Sequence, residues 1–134
     1  MIVVDTNVIA YRLIEGDKTA LACQVEQRDN TWVVPRLWRH EFLNVLATST
    51  RTGLLDIGQA CASWRDALRM LANAERDAPF ERALSCAVDA RISAYDAQYI
   101  TLAQFLDVAC VTEDSRLLKA FPAVAISMRA FTDS

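Results

Sequence analysis

The sequence predicts an α/β fold, a three-layer α/β/α sandwich around a short, mostly parallel central sheet. Two observations carry this. Short runs of consecutive apolar residues alternate with longer stretches of helical periodicity, the order that builds parallel sheets. The apolar runs lack polar alternation, as expected of strands covered by helices on both faces. With 134 residues, 53% hydrophobic and 23% charged, the chain can bury its own core and reads as a single domain over residues 1–134.

The first strand is Ile2-Val3-Val4 running into Asp5. A helix from Thr6 to about Ile14 follows, capped by Thr6 or Asp5. Gly16 and Asp17 turn the chain into a second helix from about Lys18 to Arg28. Trp32-Val33-Val34 is a short strand ending at Pro35, which is tolerated at the start of the next helix, from about Arg36 to Thr50. Gly53 lies just beyond that helix, where a left-handed residue is favoured.

From Ile57 to Ala74, the residues Ile57, Cys61, Trp64, Leu68 and Leu71 recur at helical spacing. They form a stripe suited to a helix–helix seam inside the domain or to a dimer interface. Phe80, Leu84 and Val88 make another stripe after Pro79. Ser93-Ala-Tyr-Asp96 resembles a capping box opening a helix to about Leu106. Val108 to Val111 reads as a strand, Ser115 to Ala120 as a short helix, and Val124 to Ile126 as the last strand.

Composition excludes several classes. No apolar run reaches the roughly 18 residues needed to cross a bilayer, and no export signal precedes Asp5, so a cytoplasmic protein without membrane contact is expected. The net charge of −3 argues against a broad basic surface. Of 14 basic residues 12 are Arg, a skew that suits phosphate contacts but also follows from coding bias. Cys23, Cys61, Cys86 and Cys110 are at least 24 residues apart and His40 is the single histidine. That spacing offers no zinc site, and reduced, buried thiols are expected instead.

Four acids carry the chemistry. Asp5 ends the first strand, and Asp114 follows Thr112 at the end of the later one. Asp96 opens a helix, where the macrodipole favours its charge. Glu41 lies among Trp38, Phe42 and Val45, close to the apolar face of its helix. Each alone could be ordinary structure: a cap, a turn, or for Glu41 an ion pair with Arg39 or Arg12. Together they are harder to dismiss. In a parallel sheet the strand ends and the helix start converge on one edge, where ligands bind in such folds. Carboxylates about 5 Å apart repel by about 3 kcal/mol per pair at an effective dielectric of 20. A hard cation such as Mg²⁺ or Mn²⁺ relieves that and activates water against a phosphodiester. Thr6, Asn7, Thr112 and Ser115 supply short polar groups beside the acids, suited to orienting water or phosphate.

The segments M-I-V-V-D-T-N-V, P-R-L-W-R-H-E-F-L-N-V-L, S-A-Y-D-A-Q-Y-I-T-L-A and V-T-E-D-S-R-L-L resemble the four signature segments of PIN-domain ribonucleases. They most resemble the VapC-type toxins of prokaryotic toxin–antitoxin pairs. The resemblance runs from residue 1 to about residue 118, with nothing usable in Leu54–Arg91. It implies a Mg²⁺-dependent endoribonuclease, with Mn²⁺ able to substitute, whose acids are Asp5, Glu41, Asp96 and Asp114. It also implies a homodimer, an RNA substrate and a cognate antitoxin as partner. Glu113 is adjacent to Asp114, and the T-x-D spacing favours Asp114.

Rival readings fit less well. A dehalogenase-type phosphatase wants a second Asp where Asn7 stands, and a late Lys near its acids. A receiver domain wants an acid pair after strand one, and no G-x-G-x-x-G marks a dinucleotide site. The non-enzyme alternative is a silent PIN-like module binding RNA or a protein. Loss of an acid would have marked it, and none is lost.

Overall fold

A computed structural model describes residues 1–134. Its core is a four-stranded, all-parallel sheet in the order β2-β1-β3-β4. The strands are β1 (Ile2–Val4), β2 (Trp32–Val33), β3 (Cys110–Val111) and β4 (Ala125–Ile126). The last three are shorter than their apolar runs, because only part of each run pairs. Val34 makes an isolated bridge to Glu75 instead.

Side chains leave the pleat alternately, so each strand serves two cores. Ile2, Val4, Trp32, Val34 and Val111 pack on one face, beneath α1 (Thr6–Leu13), α2 (Thr19–Arg28), α3 (Trp38–Arg51) and α4 (Ile57–Leu71). Val3, Val33, Cys110 and Ala125 pack on the other, against α6 (Ala94–Leu106) and α7 (Ser115–Ala120). Outside α6 lies α5 (Phe80–Ala90), held through Ala83, Ala87 and Ala97. This is the expected α/β/α sandwich. A final helix, α8 (Met128–Asp133), was not expected; the Ser127 hydroxyl accepts from the Ala130 N–H and Met128 is fully buried.

Several expectations need correction. Helix α3 starts at Trp38 rather than Arg36, and α4 ends at Leu71 rather than Ala74, freeing Ala74 and Glu75 to meet Val34. Of the four cysteines only Cys110 is buried; Cys61 is exposed in an open groove between α3 and α4, and Cys23 and Cys86 are half-buried. Apolar neighbours in sequence do not bury a residue whose helix turns it outward. The Ile57–Leu71 stripe divides. Leu71 is buried and Trp64 stacks on Trp38 of α3 at 5.6 Å between ring centroids, while Ile57 is 70% exposed. Its carboxyl-terminal half is thus an internal seam. Gly53 does adopt the left-handed conformation, at φ 85°.

No helix is long and apolar enough to cross a membrane.

Candidate active site

From β1 the chain crosses to β2 on one side, while β3 lies on the other. The carboxyl ends of β1 and β3 therefore flank a topological switch point, where open α/β sheets form their ligand crevice. Asp5 leaves β1 there and Thr112 leaves β3.

Asp5 is 6% exposed and is the N-cap of α1, its Oδ1 accepting from the Thr6 N–H at 2.8 Å. Thr112 donates its hydroxyl to Asp5 Oδ2 at 2.7 Å and accepts from the Asp114 N–H at 3.0 Å. Asn7 reaches both, with Nδ2 3.4 Å from Asp5 Oδ2 and from Thr112 Oγ1, while its Oδ1 accepts from the Glu113 N–H. Residues 105 positions apart and more are thereby locked together.

Glu41 is not paired with Arg39 or Arg12. Arg39 binds Glu75 through two hydrogen bonds, and Arg12 binds Glu26. Glu41 Oε1 instead accepts from Thr6 Oγ1 at 2.9 Å and from the Tyr99 hydroxyl at 2.7 Å. Oε2 makes no protein hydrogen bond, and no buried polar side-chain atom in the chain goes unpartnered, so Oε2 remains open to solvent. Tyr99 is fully buried, three residues after Asp96 on α6. Sequence reasoning passed over it because a tyrosine among Ile100 and Leu102 reads as core; the i, i+3 spacing from Asp96 was the available signal.

Asp96 lies in the first turn of α6, whose cap is Ser93; the Ser93 hydroxyl accepts from the Asp96 N–H at 3.0 Å. Only this half of the expected capping box forms. The Asp96 carboxylate lies toward Arg116, with Oδ2 3.7 Å from its Nη2, and the same nitrogen is 3.4 Å from Asp114 Oδ2. Arg116 was also not anticipated. Glu113 points elsewhere, to Lys18 and the Met128 N–H, leaving Asp114 as the acid beside Asp96. Ser115 opens α7, is exposed, and does not join the cluster.

The electrostatics run through all four acids. Burial pushes the Asp5 carboxyl up to about 6 from its usual 3.8, with the charges of Asp96 and Glu41 adding to it, against the bonds from Thr112 and the Thr6 N–H. Burial also raises Glu41, opposed by Tyr99 and Thr6 and reinforced by Asp96. Asp96 is raised by burial and then by Asp114, with Arg116 opposing. Burial acts upward on Asp114 too, but its bonds to Arg116 outweigh that and hold it low. Mutual repulsion thus links Glu41, Asp5, Asp96 and Asp114 in a chain, with one exposed guanidinium at the end.

The donors fit a hard divalent cation: carboxylate oxygens with neutral hydroxyl and amide partners and no thiol or imidazole among them. No three acidic, histidine or cysteine side chains stand close enough to form a finished cage. Asp5, Glu41, Asp96 and Asp114 are the residues that would hold such a cation.

No curated protein matches the chain. Among solved structures, PAE2754 from Pyrobaculum aerophilum is similar in fold, with a TM-score of 0.78 at 22% identity, covering 98% of this chain and 93% of that one. Residues 2–123 match the PIN domain, a span that takes in all four acids. PIN domains are generally nucleases and usually use divalent metals. On that match over most of its length, the chain belongs to the PIN-domain family.

Proposed function

We propose that this chain is a Mg²⁺-dependent endoribonuclease, with Mn²⁺ able to substitute, and that it acts as the toxin of a toxin–antitoxin pair. One observation carries the nuclease reading. Four carboxylates lie around the switch point of the sheet, near enough to raise one another's pKa, and Asp5 is held near pKa 6 by burial first and then by Asp96 and Glu41. A divalent cation bound there supplies neutralising charge, a more acidic water and stabilisation of charge on phosphoryl oxygens.

The chain's own residues do the rest. Asp5 is fixed by Thr112, Asn7 and the Thr6 N–H, so its free lone pairs have one direction. Thr6 and Tyr99 hold one oxygen of Glu41 and leave the other open. Asp96 faces the exposed Arg116 side chain, while Asp114 gives Oδ1 to the Arg116 N–H as the N-cap of α7 and turns only Oδ2 toward that guanidinium, so Asp96 and Asp114 Oδ2 can change partner without breaking the cap. Rigid supports under two acids and a soft counter-charge on the other two suit a site that must accept and release an ion.

Purified protein should cut single-stranded RNA in Mg²⁺ or Mn²⁺ and stop in EDTA. Asp5→Asn and Asp96→Asn should each abolish cutting with far-ultraviolet circular dichroism unchanged. Asp114→Asn should cost more than Glu113→Gln. Undiminished cutting in excess chelator would sink the metal mechanism.

The toxin role rests on the resemblance of the signature segments. It entails a cognate antitoxin that directs an Arg into the acidic crevice, where a planar guanidinium can satisfy two carboxylates. Arg116 between Asp96 and Asp114 illustrates that pairing within the chain. A homodimer completes the proposal, supported by the exposed apolar residues Ile57, Phe80, Leu84 and Val88. Growth arrest on expression, relieved by the co-expressed antitoxin, tests the first. A monomer mass by light scattering at micromolar concentration would refute the second.

A further inference from the structure

Next to the acidic crevice is a separate cavity of about 390 Å³, lined by Leu37, His40, Glu41, Asn44 and Tyr95. That size is within the usual range for small-molecule sites, roughly 300–1,000 Å³. It is built by one face of α3 and the start of α6. Glu41 belongs to its wall, so the cavity and the proposed metal site share a residue. Tyr95 precedes Asp96 and is 64% exposed, with no hydrogen bond from its hydroxyl to the protein. His40 and Asn44 are exposed on consecutive turns of α3, and their side chains likewise make no hydrogen bond within the chain. Leu37 is half-buried at the base.

We propose that this cavity receives an unpaired nucleobase of the RNA, beside the phosphodiester held at the acids, with the base on the Tyr95 ring and its edge on His40 and Asn44. The inference rests on the ribonuclease reading and adds what that reading does not contain, a site for a base.

The composition of the wall decides between ligand groups. A phosphate subsite needs cationic donors, and this one has no Lys or Arg. The arginines on adjoining segments are paired elsewhere, Arg36 with Asp77, Arg39 with Glu75, and Arg116 with Asp96 and Asp114. Beside the Glu41 carboxylate, the wall offers an aromatic ring, an aliphatic side chain, an imidazole and a carboxamide. That set matches a base, which presents a flat π-face and an edge bearing both donors and acceptors. Asn44 offers a donor and an acceptor in one plane, and His40 offers either.

Duplex RNA cannot supply such a base, since its bases are stacked and its deep groove excludes side chains. Single-stranded loops can turn a base outward onto an aromatic side chain. Net charge gives an independent reason to expect stacking. A chain of formal charge −3 gains little from general attraction to phosphates. Stacking is a contribution that does not depend on net charge.

Binding is measured by fluorescence anisotropy on the Asp5→Asn protein in Mg²⁺, so that no cutting occurs. The probes are a short labelled mixed-sequence single-stranded RNA, its duplex, and a strand of equal length lacking bases. Replacing Tyr95 with Ala in that background should weaken single-strand binding by about fivefold or more, the usual loss for one stacked base. Tyr95→Phe should restore most of it, and Asn44→Ala should weaken binding with the ring intact. The duplex and the base-free strand should bind weakly and without regard to Tyr95.

Two results overturn the inference: single-strand affinity unchanged in Tyr95→Ala, or an equal loss with the base-free strand, which would mean a backbone contact. The two readings fail separately. Tyr95-dependent binding by a protein that never cuts RNA would fault the nuclease reading and keep the cavity. Metal-dependent cutting with Tyr95-independent binding and KM would do the reverse.

Discussion

Neutralising Asp5 should make the metal-free protein more stable while destroying its activity. The carboxyl rises from 3.8 to about 6 on folding; at about 1.36 kcal/mol per pH unit this is a penalty of about 3 kcal/mol at neutral pH. The sign follows from proton counting. Between those two values the folded protein keeps a proton that the unfolded chain has released, so stability falls as pH rises through the window. The penalty is complete above about pH 6. Asp5→Asn escapes it and retains an oxygen for the Thr6 N–H. The charge-assisted part of the 2.7 Å bond from Thr112 is already contained in the pKa of about 6, but the variant leaves the Thr112 hydroxyl without its acceptor, a loss of about 1 kcal/mol for a neutral bond. The net gain is about 2 kcal/mol, which for a domain of this size raises Tm by roughly 6–8 °C. Thermal unfolding in EDTA at about pH 7.5 and again at about pH 4 reads it directly, because the gap should close on acidification as the parent regains its proton. Adding Mg²⁺ should also narrow the gap, since a ligand that binds the folded parent stabilises it by mass action. A lower Tm for Asp5→Asn in EDTA near neutrality would refute the reasoning. So would a gap indifferent to pH.

Glu75 should behave in the opposite way. Its side chain is 5% exposed and accepts from Trp38 Nε1 and twice from Arg39, and the Arg39 bonds lead in holding its carboxyl below the usual 4.5. Glu75→Gln should lower Tm at neutral pH, by about 1–3 kcal/mol of stability. The deficit should shrink as the parent is acidified below 4.5, through its lowered native pKa; a neutral result at pH 7 would make the clamp dispensable. Arg116→Ala removes the cation between Asp96 and Asp114, so calorimetric titration of the RNA-free protein should show tighter Mn²⁺ binding. Weaker binding would mean that Arg116 organises the acids rather than competing for them.

Sheet and site were legible in the sequence to different depths. Strand β1 and the acid after it stood out because a continuous apolar run that ends abruptly in a carboxylate, Asp5, marks a buried strand leading to a polar edge. The same held for β3 and Asp114. Helix α6 showed through its Ser93 cap and Asp96. Hidden were the features made only by tertiary contact. Glu75 follows the end of α4 in a stretch without any motif, and only the bridge to Val34 brings it to Trp38 and Arg39. Tyr99 differs from a core tyrosine only because Thr6 and Glu41 arrive at its hydroxyl from elsewhere. Helix α8 is a single short turn and a half, too brief for a periodic signal, and is held by Met128 packing into the core. The thiols were misjudged for the complementary reason: sequence neighbours say little about which way a helix faces.

The central position of β1 has a consequence for the order in which the molecule can assemble. Ile2–Val4 pairs with β3 at Cys110–Val111, and the Thr112 bond to Asp5 spans 107 residues. Such distant pairing is entropically costly to close and slow to find. Helices α1 to α4 can gather around β1 and β2 during synthesis, but the wall of the crevice formed by Thr112 and Asp114 arrives only once the segment carrying β3 has been made. The crevice is therefore among the last features of the fold to be completed, when the segment carrying β3 docks against the first strand.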